Sequence, residues 1–362
     1  MAKDEEPMKI PEKMKAAVLF GPDDLRVVEK NVPKPGFQEV LLKVEACAIC
    51  GTDPKILAHG WQNQPPYGEY IPGHEYAGTV LSLGDGVLGF SVGDRVAIEP
   101  HKGCGVCANC LRGFYTVCFN YGNLGAGHRH YGFTANGGYA QYTVNHINTL
   151  HRIPDALNFE EATLITTAGT AMYGVTRVGG IEPGENVVVN GPGPIGLMAV
   201  QVAKQSGAGK VIITGTRDER LSLARELGAD AAIHIKKEDV IKRIFELTQG
   251  IGADVVLECA GTSTALTDSI EFTRKNGRIS LVGIYSDPVQ INAFKVAQWN
   301  ITICGSRAEG DRSLSKIAPL MGDGRIKARP LITHTFPLDR INEGFQTFIH
   351  RKGGAIKVVM KM

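Results

Sequence analysis

Four of the chain's eight cysteines fall in one short stretch, GCGVCANCLRGFYTVC, between residues 103 and 118. Cys104, Cys107, Cys110 and Cys118 follow the spacing C-x2-C-x2-C-x7-C, and Gly103, Gly105 and Gly113 supply turns that let four thiolates converge. Four sulfurs suit tetrahedral zinc, and a closed four-thiolate site keeps no open coordination position, so it holds a loop together and catalyses nothing. A zinc finger that reads nucleic acid would need basic side chains on an adjoining element, whereas this stretch carries only Arg112. Upstream, ACAICGTD and IPGHEYAG place Cys50, His74 and Glu75 on glycine-flanked turns beside apolar runs. One sulfur, one imidazole and one carboxylate form a three-ligand set, which is how a catalytic zinc keeps its fourth position for water or substrate. Singly, each has a plain structural explanation: Cys50 as a small core residue or the partner of Cys47, His74 as a core histidine, Glu75 as surface. Only the combination points to a metal.

The elements that must position these groups are legible around a second motif. In ENVVVNGPGPIGLMAVQVAKQSGAGKVIITGTRDE, Asn186 to Asn190 reads as a buried strand and Ile195 to Gln205 has the apolar spacing of a helix. Gly191, Gly193 and Gly196 form G-x-G-x-x-G between them, with Pro194 and Ile195 inside the turn, and a second strand follows at Val211 to Thr214. Glycines lodged between strand and helix let the backbone approach a pyrophosphate whose charge sits at the helix N-terminus. DVVLECAG and GRISLVGIY read as further strands and Thr264 to Asn276 as a helix, so the fold class is α/β, with a doubly wound sheet over roughly Thr166 to Gly305.

Composition sets the frame. With 362 residues, 21% charged, 43% hydrophobic and a formal net charge of +2, the chain has room for two domains and gives no electrostatic case for nucleic acid. The amino terminus MAKDEEPMKIPEKMK lacks the apolar core of a signal peptide, and no apolar run has the length to span a bilayer. A cytoplasmic location and no membrane partner are therefore expected, and reducing conditions turn clustered cysteines toward metal.

GTD after Cys50, GHE, the four-cysteine stretch and GPGPIGL occur in one order along nearly the whole chain, which thereby resembles the zinc-dependent medium-chain alcohol and polyol dehydrogenases. The resemblance implies a chaperonin-10-like β-barrel catalytic domain over residues 1–165 and a Rossmann domain over 166–305. A return segment over 306–362 would complete the first domain, and the active cleft would lie between the two. It implies one catalytic and one structural zinc per chain, a nicotinamide cofactor, a small-molecule alcohol or carbonyl substrate, and a homodimer or homotetramer. The reaction would interconvert a secondary alcohol or polyol and its ketone or aldehyde by hydride transfer. Cys50, His74 and Glu75 would hold the catalytic zinc. Thr52 resembles the family's proton-passing hydroxyl, and Asp53 the carboxylate that orients the metal-binding histidine. Two residues depart from the pattern. Lys55, after Pro54, stands where many relatives carry a relay histidine, and Thr166 or Thr167 falls where relatives place a further Cys, Asp or Glu near the zinc. A quinone or enoyl reductase without zinc and a non-catalytic cofactor-binding protein are the competing readings.

Cofactor choice is read about twenty residues beyond the glycines, where NAD-preferring folds carry an acid for the ribose 2′-hydroxyl. There the sequence has Gly215, then Thr216 and Arg217, which resemble the turn of NADP-dependent secondary alcohol dehydrogenases. NADP is expected, with NAD possible through Asp218. Trp61, Tyr67, Tyr121 and Trp299 are candidates for an apolar substrate wall.

Overall fold

In the computed structural model, which describes residues 10–362, the strand Glu39–Ala48 is the spine of the first of two units. Residues 1–9, which hold much of the charged stretch read above as lacking the apolar core of a signal peptide, lie outside the described part. This first unit comprises Met1–Leu164 together with Ile332–Met362. Its main sheet runs, in spatial order, Ile332–Pro337, Lys357–Lys361, Glu39–Ala48, Glu75–Leu83, Arg95–Ile98 and Leu150–Arg152, with Tyr142–His146 also paired to the spine. Every pairing in it is antiparallel except that between Ile332–Pro337 and Lys357–Lys361. The spine, EVLLKVEACA, buries Val40, Leu42, Val44 and Cys47 in the core and has room on both sides because two different strands share one of its edges. Tyr142–His146 pairs with Glu39 to Lys43, and Lys357–Lys361 takes over at Ala46 to Ala48. A hairpin of Lys13–Gly21 and Asp24–Asn31 is tied on by hydrogen bonds from Ala17 N to Tyr139 O (2.8 Å) and from Leu19 N to Tyr70 O (2.9 Å).

That register decides what meets at the end of the spine. Ala48 lies opposite Glu75 on one neighbour and Val359 on the other, and Ile49 N donates to Val358 O at 2.8 Å. Directly opposed residues of antiparallel strands face the same side, as do residues two apart on one strand. Glu75, Ala48, Val359 and Lys357 therefore share a face, and the small Ala48 leaves space across which longer side chains can meet.

The second unit, Ile165–Leu331, is a six-stranded parallel sheet. Its spatial order is Ala231–His234, Lys210–Gly215, Asn186–Asn190, Ala253–Glu258, Thr273–Leu281 and Thr302–Gly305, the doubly wound order with its reversal beside the first strand. Apolar runs such as Val187, Val188 and Val189 are wholly buried, as expected of strands covered on both faces. At the carboxyl end of the first strand, buried Asn190 ties three elements together. Its Oδ1 accepts from Thr214 Oγ1 (2.8 Å), and its Nδ2 donates to Ser269 Oγ (2.7 Å) and Ala265 O (3.1 Å).

The return to the first unit begins later than the expected 306. Residues 306–331 stay with the parallel sheet's unit, because the helix Ser313–Gly322 buries Leu314, Ile317 and Met321 there and Gln201 clasps the chain beyond it. Gln201 Oε1 accepts from Lys327 N at 2.7 Å. Only Ile332–Met362 adds strands to the first unit. Among the described residues no helix is long and apolar enough to cross a membrane.

The Asn190 clasp can be weighed directly. Asn190→Leu strips the Thr214 and Ser269 hydroxyls of a buried partner and is expected to cost about 2–4 kcal/mol. Thermal unfolding should show a lower midpoint.

Candidate metal centres and dinucleotide loop

The four-cysteine stretch folds into a lobe in which the Sγ atoms of Cys104, Cys107, Cys110 and Cys118 all lie within 4.8 Å of one another. Cys104 and Cys110 approach to 3.9 Å, as do Cys107 and Cys118. That is far beyond a disulfide bond of about 2.05 Å, and matches the edge of about 3.8 Å for four sulfurs at about 2.3 Å around one zinc. Donors point at the sulfurs: Cys107 N and Asn120 Nδ2 reach Cys104 Sγ at 3.4 and 3.3 Å, and Asn120 N reaches Cys118 Sγ at 3.4 Å. Backbone N–H donation, first from Val106, and then the Asn120 amide bring the Cys104 thiol down to about 6, toward the thiolate form that a metal takes. The donor set fits a closed zinc site.

The second group forms where the spine ends. Cys50 follows it in the turn that leads to the helix Asp53–His59, while His74 and Glu75 sit at the start of the neighbouring strand. One ligand atom from each of Cys50, His74 and Glu75 lies within 4.8 Å of the others. His74 and Glu75 are buried, and Cys50 is half-buried. Asp53, fully buried, backs the histidine: its Oδ1 stands 3.4 Å from His74 Nδ1, while Oδ2 accepts from Cys50 N (2.8 Å) and from the Tyr139 hydroxyl (2.7 Å). An aspartate behind Nδ1 holds that nitrogen protonated and leaves Nε2 with its lone pair for a metal. Neither Asp53 Oδ1 nor His74 Nδ1 has a hydrogen bond of good geometry, an incomplete pairing that a cation on the far side of the ring would tighten. Glu75 meets Lys357 through its Oε2. The donor set and its surroundings fit a three-ligand metal site, with sulfur, nitrogen and oxygen from one end of one sheet.

Thr52 is half-buried, with Oγ1 3.9 Å from Cys50 Sγ, and Lys55 is exposed on the following helix. Of the aromatic candidates, Trp61 and Tyr121 come together beside this centre. Trp61 Nε1 donates to Tyr121 Oη at 3.0 Å, Trp61 meets Phe133 edge-on at 4.9 Å, and Phe133 lies 4.5 Å from the His74 ring. Tyr67 is largely exposed, and Trp299 belongs to the second unit, where Lys295 lies over its ring at 4.1 Å. Thr166 and Thr167 are buried in the helix Leu164–Arg177 of that unit.

The dinucleotide motif is built as its glycines require. Gly191 has φ +96°, and a methyl group added at Gly196 would lie 1.9 Å from the Gly191 carbonyl oxygen. Gly193 caps the helix Pro194–Gln205, with Pro194 in its first turn. Such a cradle, closed to any Cβ at Gly196, fits a pyrophosphate held by backbone at a helix N-terminus. Gly215 ends the next strand, and a Cβ there would meet the Pro192 ring at 2.5 Å. Thr216 is exposed, Arg217 precedes the helix Asp218–Glu226, and Asp218 pairs with Lys237 Nζ at 2.7 Å.

Tyr139 and Lys357 are missing from the sequence-derived set. Tyr139 had no signal beyond its place after Gly137 and Gly138. Lys357 had one: a charge opening the apolar strand KVVMK. Glu258, at the end of its strand, was also unforeseen. It accepts from Ala260 N (2.8 Å) and Gly261 N (3.0 Å), and fixes the loop beside Gly191.

Comparison with known proteins gives the family. A family profile described as alcohol dehydrogenase GroES-like domain matches residues 36–155, and one described as zinc-binding dehydrogenase matches 194–322. The chain is 35% identical to a sorbitol dehydrogenase of Halalkalibacterium halodurans over 96% of this chain and 99% of that protein. A zinc-binding dehydrogenase of Sinorhizobium meliloti bound to NADP superposes with a TM-score of 0.88 at 28% identity, covering 97% of this chain and 100% of that one. An alcohol dehydrogenase of Escherichia coli complexed with NADH gives the same TM-score of 0.88 and 28% identity, with 97% and 100% covered.

Tyr139→Phe removes only the hydroxyl that holds Asp53. Metal affinity at Cys50, His74 and Glu75 should fall about 10- to 100-fold, measured by competition with a chromogenic chelator. Zinc in the four-cysteine lobe should be retained as in the wild type.

Proposed function

The chain belongs to the zinc-dependent medium-chain alcohol and polyol dehydrogenases, and from that premise we propose how its own residues share the oxidation of an alcohol. One observation carries the reading: Cys50, His74 and Glu75 converge, with Asp53 fixed behind the histidine. These three side chains hold one zinc, and Cys104, Cys107, Cys110 and Cys118 hold a second whose role is structural. Zinc at the three-ligand site, when bound, supplies Lewis acidity to the substrate oxygen. Asp53 keeps the His74 proton on Nδ1. Thr52 accepts the hydroxyl proton of the alcohol and hands it on toward solvent, which reaches its half-buried side chain. A nicotinamide held at the Gly191–Gly196 turn would supply the acceptor for the carbinol hydrogen and both electrons of its bond, so that the alcohol would leave as a ketone or aldehyde and one proton would leave through Thr52. The substrate class is a secondary alcohol or polyol, supported by the sorbitol dehydrogenase relative, with Trp61, Tyr121 and Phe133 lining the approach to His74.

The cofactor is held at Gly191, Gly193, Pro194, Ile195 and Gly196, and we assign NADP as the preferred form. Similar structures bind NADP in one case and NADH in another, so the preference rests on this chain's own residues. Gly215 carries no charge to repel a 2′-phosphate, Thr216 and Arg217 supply donors beside it, and Asp218 is engaged by Lys237.

Elemental analysis should find two zinc ions per chain, of which a chelator removes one together with alcohol oxidation. One zinc per chain with activity indifferent to chelator would sink the assignment. Thr52→Val should lower turnover about a hundredfold at unchanged zinc content, and near-wild-type turnover would take the hydroxyl out of the proton path. In initial-rate kinetics kcat/KM should be higher with NADP than with NAD. Arg217→Ala should lower the NADP value about tenfold or more, leaving NAD nearly unaffected. Equal or better use of NAD by the wild type would remove the preference.

A further inference from the structure

Lys357 is a buried lysine in a strand whose other members are mostly aliphatic, and its side chain is 2% exposed. Its ammonium donates to Glu75 Oε2, whose side chain is 5% exposed, and it stands 3.4 Å from Ile49 O. Cys50 and Asp53 also act on it electrostatically. The contact follows from the sheet: Lys357 and Glu75 come from strands that flank the spine on opposite sides, and they meet across the small Ala48.

A carboxylate paired with a buried ammonium has lost part of its charge and offers a neighbouring metal less. We propose that Lys357 is a positioning residue that makes Glu75 a weakened ligand, so that the zinc at Cys50, His74 and Glu75 is held less tightly than the bare ligand set would hold it. The proposal rests on Glu75 being a ligand of that zinc. Its physical content is a competition: ammonium and zinc share one carboxylate. Without metal, Lys357 compensates buried Glu75. With metal bound, zinc does so as well. Removing the lysine therefore harms the metal-free protein more than the zinc-loaded one, and strengthens the hold of the carboxylate on the metal.

The test uses the zinc-loaded full chain and follows zinc release to a chromogenic chelator. Wild type should show one labile zinc and one slowly released zinc. Lys357→Met should slow release of the labile zinc by about tenfold or more, with the four-cysteine zinc as an internal control that does not change. Lys357→Arg should release within about twofold of wild type, since the charge is kept. Melting temperatures supply a second readout. Lys357→Met should lower Tm by about 10 °C in the chelator-stripped protein and by less than half of that when zinc-loaded. A role confined to packing would lower both equally.

Unchanged or faster release of the labile zinc from Lys357→Met overturns the proposal while leaving the ligand assignment in place. A wild type with no labile zinc overturns the ligand assignment and the proposal with it. If Lys357→Met yields no soluble protein, Glu75→Gln combined with Lys357→Met, which buries neither charge, must recover soluble chain; failure of that rescue also overturns the proposal.

Discussion

Two carboxylates, Asp53 and Glu75, are buried at the end of one sheet, and a buried anion costs several kcal/mol, on the order of the stability of a whole domain, unless something compensates it. The structure answers each in a different way. Asp53 is satisfied by neutral donors, the Cys50 amide and the Tyr139 hydroxyl, and turns its second oxygen to His74. Glu75 is satisfied by a full charge, Lys357. A carboxylate held by dipoles keeps its charge available to orient an imidazole. One held by an ammonium is partly neutralised and gives a neighbouring cation less. The two acids next to one metal-capable centre are thus unequal by construction, and the inequality comes from which strand supplies the partner.

That need for compensation also explains the architecture around the site. Lys357 lies almost at the carboxyl end of the chain, and Ile332–Met362 contributes two strands to the unit built otherwise from residues before 165. Without those strands the spine would present an open edge at Ala46 to Ala48, and Glu75 would lose its counter-ion. The return of the chain therefore completes the hydrogen-bond ladder and the electrostatics of the centre at once. Residues 306–331 have no such task, and the helix Ser313–Gly322 buries its apolar face in the second unit.

What the sequence disclosed follows the same division. The four-cysteine lobe is local: its ligands and their turns lie within a few residues of one another, so spacing alone announced the geometry that the 3.9 Å sulfur contacts display. The glycine turn is local too, and the 1.9 Å approach at Gly196 shows why no other residue fits there. The second centre is different. Cys50, His74 and Glu75 could be paired as chemistry, but the groups that support them are remote, with Tyr139 86 residues from Asp53 and Lys357 282 residues from Glu75. Strand register brings Lys357 to Glu75, and a loop far along the chain brings Tyr139 to Asp53; neither is written in any short motif. The late start of the return segment was hidden for a similar reason, since the pull of Gln201 on Lys327 is a contact between distant parts of the chain.

Gly215 has a second, steric reason to be glycine beside the one read from its place in the sequence. Its lack of an acid removes repulsion toward a 2′-phosphate, yet a side chain there would also run into the Pro192 ring at 2.5 Å. Pro192 belongs to the same Gly-Pro-Gly-Pro turn that shapes the phosphate cradle, so that turn itself excludes an acid at 215 unless the loop shifts. The absence of an acid at this position is then a steric property of the turn, whatever the cofactor. Discrimination between the two nicotinamide cofactors has to come from what stands just beyond it. Arg217 has the charge and the donors for a phosphate, and Asp218, the nearest acid, is turned to Lys237. An exposed pair of that kind is weak, so the lysine alone does not forbid Asp218 a ribose hydroxyl; the guanidinium one residue earlier is the group on which the proposed preference rests.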